Sequence, residues 1–311
     1  YRSCTDDGAH ERAMTLTPEH RADARRMAQK SLVLLENDND VLPLSKSVRT
    51  LAVIGPLADH RRAMLGNWAV AGREEDAVTP LEGLKAALGD GTRLVLAKGA
   101  DIDSQDTSGF AQAVAAAKQA DAVVMFLGEH PDMSAEANNR TSLDLPGVQE
   151  QLALAVAATG KPVVAVLLNG RPLSIGGLKG KVSAILEAWF PGVEGGHAIT
   201  DVLFGDVNPS AKLPVTFPHN VGQVPIYYAH KNTGRPPSEQ EKYTSKYLDV
   251  PWTPLYAFGH GLSYTTFRYD APVVAKKTLA PSALQQQVSV RVTNTGKREG
   301  VEVVQLYVRD D

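Results

Sequence analysis

A chain of 311 residues, 43% hydrophobic and 22% charged, has the apolar content for a sizeable core in one large domain or two smaller ones. Its formal net charge of -3 gives no basic excess that would recommend nucleic acid or an anionic membrane surface as a partner. The one cysteine, Cys4, excludes an internal disulfide and a multi-cysteine metal site, and no apolar run approaches the roughly 18 residues of a membrane-spanning helix.

Residues 1–17 are polar and read as a linker. The chain opens on Tyr1 without an initiator methionine or a signal-peptide pattern, and it stops inside a strand-like run at Asp311. Both ends are expected to be cuts in a longer polypeptide. Thr17-Pro18 predicts a helix start, with threonine as N-cap and proline at the first helical position. Ala24, Met27, Ala28, Leu32 and Leu35 continue the helical spacing. The short apolar run from Leu51 to Gly55 predicts a buried strand. Thr79-Pro80-Leu81-Glu82 is a capping box ahead of a helix that ends at Gly89.

The alternation then repeats. Strands are predicted at 93–97, 122–127, 163–168 and 182–186, and helices at 110–119, 147–158 and about 194–204. Continuous apolar strands between helices imply an α/β fold with a mainly parallel sheet covered on both faces. Ligands of such sheets sit beyond the carboxyl ends of the strands, which directs attention to the loops after Ile54, Leu127, Leu168 and Leu186. From about 206 to 268 Pro, Gly, Tyr and Asn are dense, and irregular loops are expected. After Pro272 the texture changes again. Residues 287–292 and 301–308 alternate with period two around the turn Asn294-Thr295-Gly296, which predicts a hairpin of an all-β sandwich. A whole sandwich needs about 100 residues, so only its beginning is expected here.

The loop after Leu127 is the most informative. Residues 128–140 are polar and hold Glu129, Asp132, Glu136 and Arg140. A carboxylic acid held near a leaving oxygen can donate a proton if burial or a second carboxylate raises its pKa. The plain alternative is a solvated acidic loop. A second cluster runs from Trp189 to His197 and opens a helix. Its free N–H groups can hold an anion, or it is simply a tight strand-to-helix turn, with His197 a structural side chain. Arg171, after Asn169-Gly170, either pairs with a carboxylate in the cleft or sits on a surface turn. Trp68 either stacks on a sugar ring or packs into the core. No G-x-G-x-x-G follows a strand, no G-x-S-x-G elbow is present, and no H-x-x-x-H pair occurs. No dinucleotide, metal or other cofactor is expected.

Three blocks are more specific than any of these signals. They are Pro191 to Pro218 (PGVEGGHAITDVLFGDVNPSAKLPVTFP), Pro254 to Phe267 (PLYAFGHGLSYTTF) and Val292 to Gly300 (VTNTGKREG). In this order the chain resembles the family 3 glycoside hydrolases, in particular periplasmic-type bacterial β-glucosidases, from about Pro18 onward. The resemblance implies an N-terminal TIM-type barrel, then a six-stranded α/β sandwich, then a fibronectin type III-like domain. Residues 18–215 would be the sandwich, 216–270 irregular connection, and 271–311 the first strands of the last domain.

The resemblance further implies a retaining exo-β-glycosidase acting on β-glucosides or β-gluco-oligosaccharides, periplasmic or secreted. Its Asp nucleophile lies on the barrel, which this chain does not contain, so the chain alone is expected to be nearly inactive. The acid/base Glu lies in the sandwich. Glu136, with Arg140 and Leu143 to Pro146 downstream, fits the family pattern best, and Glu129 is the alternative. Trp68 resembles the aromatic +1 subsite, and Arg140 joins it as a substrate-binding candidate. A second Trp of some plant relatives is replaced by Gly72, which leaves the aglycone preference open. The barrel and the substrate are the expected partners, with neither nucleic acid nor membrane, and a homodimer is allowed. The alternative from another class is a non-catalytic module that binds carbohydrate or scaffolds the barrel.

Overall fold

The computed structural model describes residues 8–231, 233–276, 278 and 285–308. Cys4 and the first seven positions of the expected linker lie outside them. The remainder of that segment carries a short helix, α1 (Ala9–Met14). α2 (Pro18–Gln29) begins as predicted, with the Thr17 hydroxyl accepting from the His20 N–H. It ends sooner than the apolar spacing predicts. The Ser31 hydroxyl donates back to the Ala28 carbonyl at 2.8 Å. Leu32 to Leu35 are then four consecutive buried residues, a pattern that suits a strand covered on both faces. They lead into β1 (Val33–Asn37).

β2 (Thr50–Ile54), β3 (Arg93–Ala97), β4 (Ala122–Gly128), β5 (Val163–Leu168) and β6 (Ala184–Glu187) join β1 in a six-stranded sheet of order β1-β6-β5-β4-β2-β3. Every pairing is parallel except that of β1 with β6. Five further helices cover the sheet: α3 (Arg61–Leu65), α4 (Pro80–Leu88), α5 (Phe110–Gln119), α6 (Gln149–Ala157) and α7 (Gly195–Leu203). Alternation along the strands divides the core. Ile54, Val123, Met125 and Leu167 cluster with Ala113 and Ala116 of α5 and Leu152 and Val156 of α6. Val53, Val124, Phe126 and Val166 cluster with Ala28 of α2, Leu84 of α4, and Ile199 and Val202 of α7. The fold is an α/β sandwich with a mainly parallel six-stranded sheet. The free edge of β1 is covered by the later loop, where the Leu262 N–H donates to the Leu34 carbonyl at 2.8 Å. No helix among the described residues is long and apolar enough to cross a membrane.

The last residues form short antiparallel pairs, but not the predicted hairpin. β7 (Phe267–Tyr269) pairs with β10 (Val292–Asn294), and β8 (Val273–Val274) pairs with β9 (Val288–Ser289). Residues 301–308 join neither pair. They lie instead on the sandwich loops. Lys212 meets Glu302 at 3.2 Å, Gln305 donates to the Gly259 carbonyl at 3.1 Å, and Tyr307 packs edge-on against Tyr228. Period-two alternation assigns faces to a strand and says nothing of its partner.

Candidate active site

β2 and β4 are neighbours, yet the chain leaves β2 toward β3 and leaves β4 toward β5 on the other side. Their loops therefore part at the carboxyl edge and leave a crevice, the position where open α/β sheets hold ligands. Two glycines make the edge possible. A Cβ on Gly55 would stand 2.2 Å from the Phe126 carbonyl oxygen, and one on Gly128 only 1.9 Å from that of Leu168. Both have positive φ, 113° and 145°.

The loop after β2 carries α3 and then Trp68, whose side chain is exposed (68%). Three contacts tie it to the loop after β4. Arg62 pairs with Asp132 at 2.9 Å, Asn67 donates to Asp132 at 3.4 Å, and the rings of His60 and His130 meet edge-on at 5.7 Å. Each histidine also caps its own loop, accepting a backbone N–H at Nδ1, from Ala63 and from Asp132 respectively. Burial, with His130 adding to it, lowers the pKa of His60.

The two glutamates of the loop after β4 lie in opposite surroundings. Glu129 extends β4, its N–H donating to the Leu168 carbonyl at 2.8 Å, and its side chain is fully buried. Oε1 accepts from Arg140 at 2.7 Å and lies 3.1 Å from Arg171 Nε; Oε2 accepts from the Gly170 N–H at 3.2 Å. Each of these neighbours is a donor, so none can accept a proton from it. Glu136 is exposed, at the tip of the loop between Ala135 (φ 93°) and Ala137 (φ 62°). Arg140 is half-buried, turned to Glu129 and to the Asp144 carbonyl.

A third carboxyl lies beneath. Glu187, the last residue of β6, is fully buried, accepting from the Trp189 N–H at 2.9 Å and from Asn169 at 3.2 Å. Burial raises its pKa to about 8, the Glu129 charge adds to this, and the two donors oppose it. The sequence offered one signal for it, a Glu closing an otherwise apolar strand. The unfolded chain releases this proton near the ordinary 4.5 and the folded chain near 8. Between those values the folded state holds a proton the unfolded state has lost. Its contribution to stability is therefore lost as pH rises, by on the order of 1 kcal/mol per unit. Glu187→Gln, which is neutral at every pH, is expected to lose less stability than the parent sequence between pH 5 and 8 in urea unfolding. Equal losses would show that Glu187 carries no buried proton.

The turn from Trp189 to His197 is occupied by the protein itself. Glu194 is bonded to Arg21 at 2.8 Å and to His197 at 2.7 Å. The Gly195 and Gly196 N–H groups donate to the Gly192 and Val78 carbonyls. Of the two readings of this cluster the structural turn holds, with His197 in an internal pair. Arg171, left between cleft and surface turn by the sequence, faces the Glu129 carboxylate. Trp68, left between sugar stacking and core packing by the sequence, is at the surface.

The sheet, its crevice and the carboxylate-bearing loop define the class of protein: an α/β sandwich that presents an exposed glutamate and an exposed tryptophan at one edge. Residues 32–264 match the model described as the glycosyl hydrolase family 3 C-terminal domain, and the chain belongs to this family of glycosidases. It is 48% identical to the periplasmic beta-glucosidase of Salmonella typhimurium over 94% of this chain and 41% of that protein. It is 45% identical to a beta-xylosidase of Formosa agariphila over 96% of this chain and 41% of that protein. The chain thus spans about two fifths of the length of these relatives. Among solved structures, the beta-glucosidase of Listeria innocua in complex with glucose superposes with TM-score 0.79 at 33% identity, over 90% of this chain and 43% of that one. A beta-glucosidase from Erythrobacter marinus gives TM-score 0.80 at 42% identity, over 92% of this chain and 40% of that one.

Proposed function

We propose that this chain is the acid/base half of a retaining exo-β-glucosidase whose other half is an N-terminal barrel carrying an Asp nucleophile. The observation that carries this reading is the contrast between the loop's two glutamates: Glu129 is enclosed by donors, and Glu136 is exposed at the tip of the loop after β4. In the first step the Asp attacks the anomeric carbon, the glycosidic bond breaks, and Glu136 gives its proton to the departing oxygen. In the second, Glu136 takes a proton from water, whose oxygen attacks the same carbon and releases the Asp. Retention requires the two carboxyl groups about 5–5.5 Å apart, so the barrel must dock against the 131–140 loop. Trp68 would flank the leaving group and offer its ring face to a sugar. The name of the Salmonella relative supports export to the periplasm. Glucose is preferred over xylose because the β-glucosidase relative is the more similar, though the β-xylosidase is close behind.

The purified 311-residue chain is expected to show no turnover of an aryl β-glucoside above the uncatalysed rate, while the barrel-bearing parent turns it over and prefers it to the aryl β-xyloside. Turnover by the chain alone would overturn the two-carboxylate reading. A parent that prefers the xyloside would overturn the choice of sugar and leave the chemistry standing.

A further inference from the structure

The loop that carries Glu136 is held from beneath by one buried carboxylate. Arg140 and Arg171 both meet the same oxygen of Glu129, at 2.7 Å and 3.1 Å. Arg171 also donates through Nη2 to the Met133 carbonyl and, at 3.2 Å, to that of Asn138. Those two carbonyls bracket Glu136. Arg140 fixes the far limb through the Asp144 carbonyl at 3.0 Å. Across the tip, the Asn138 N–H donates to the Ala135 carbonyl at 3.2 Å, and the Asn138 side chain donates to the Ser134 carbonyl at 3.3 Å.

The tip needs such a hold. Ala135 and Ala137 both have left-handed φ, which strains an alanine unless its surroundings impose it. The two guanidinium groups impose it, and each is only about one fifth exposed. Without the Glu129 charge they would be two cations crowded at one largely desolvated point, and the clamp would open. An acid/base must stand within a fraction of an ångström of its place, since a 1 Å displacement can cost about 100-fold in rate.

We propose that Glu129 is a positioning residue for the acid/base, acting through Arg171 and Arg140 on the backbone either side of Glu136. This rests on the reading of Glu136 given above. The test is a double-mutant cycle in the barrel-bearing parent protein. Glu129→Gln and Arg171→Lys are made singly and on Glu136→Ala; kcat and KM are measured on an aryl β-glucoside with a poor leaving group, and azide rescue is sought on one with a good leaving group, where the glycosyl-enzyme still forms without an acid. Each single variant is expected to lose about 10–100-fold in kcat with little change in KM and no azide rescue. On the Glu136→Ala background each is expected to change the residual rate less than about threefold, because loop position no longer matters once the acid is gone.

Losses that multiply on that background would overturn the proposal, as would a fully active Glu129→Gln. Azide rescue of Glu129→Gln would also overturn it, making Glu129 itself the acid/base. If Glu129→Gln does not fold, the Arg171→Lys cycle decides by the same criterion: lysine keeps a positive charge near Glu129 but has no second nitrogen to hold Met133 and Asn138. Glu136→Ala alone separates the two possible failures. Full activity in that variant refutes the reading of Glu136, whereas a large loss that then multiplies refutes only the positioning role.

Discussion

Glu136→Ala in the barrel-bearing parent is expected to lower kcat/KM on a β-glucoside with a poor leaving group by about 10²–10⁴-fold, the range that general acid catalysis supplies. On a substrate whose leaving group departs without a proton, the loss in the first step should be small. The second step would then limit, because nothing remains to take a proton from water, and KM should fall as the glycosyl-enzyme accumulates. Stability should change by no more than about 0.5 kcal/mol, since Glu136 is exposed and has no salt-bridge partner among the described residues. Equal losses on good and poor leaving groups would contradict the assignment. An unchanged rate on both would favour a sandwich that serves by binding and shape alone.

Gly128→Ala is expected to be the most damaging single change to the fold near the site. Gly128 pairs with Leu168 at the carboxyl end of β4, with φ 145°. A methyl there would lie 1.9 Å from the Leu168 carbonyl oxygen, and a strand backbone cannot yield as a side chain can. Relieving the clash means parting β4 from β5 where the Gln149 side chain also bridges to the Gly128 N–H and carbonyl, at 2.9 Å and 2.7 Å. The cost should be roughly 3–5 kcal/mol, combining the left-handed strain with lost packing. That corresponds to about 10 °C in Tm for a domain of this size. Gly91→Ala makes a fair control, because a Cβ there meets nothing within 4 Å. Similar melting of the two variants would refute the argument from close approach.

The strands of the sheet were readable because each parallel strand is a short, largely apolar run. The helix starts were readable from their caps: Thr79 accepts from the Glu82 N–H at 3.2 Å while Glu82 accepts from the Thr79 N–H at 2.9 Å. β1 was not, because Leu32 and Leu35 also satisfy the helical spacing that precedes them, and only the Ser31 back-bond and the sheet edge decide between the two. The pairing of residues 288–294 was hidden for another reason, since partner choice is made by segments distant in sequence.

The candidate site was readable as a loop. The assignment of duties within it was not. Glu129 and Glu136 lie seven positions apart in one polar stretch, and what separates them is depth. Depth is set by Gly170 and Arg171, some 40 residues downstream of Glu129 and just beyond the end of the neighbouring strand, which enclose one carboxyl and leave the other free. Glu187 was passed over for a related reason: a carboxyl at the end of an apolar strand looks like the first polar residue of a loop until the sheet shows it fully buried.

The central claim is that Glu136 is the proton donor and acceptor of a retaining glycosidase. It is tested most directly by the product that Glu136→Ala forms with azide. Azide is already an anion and needs no general base to attack a glycosyl-enzyme. With a good-leaving-group β-glucoside as substrate, the variant should recover turnover and release a glucosyl azide of β configuration, which nuclear magnetic resonance identifies at the anomeric carbon. No acceleration by azide, or an α-azide product, would contradict the account.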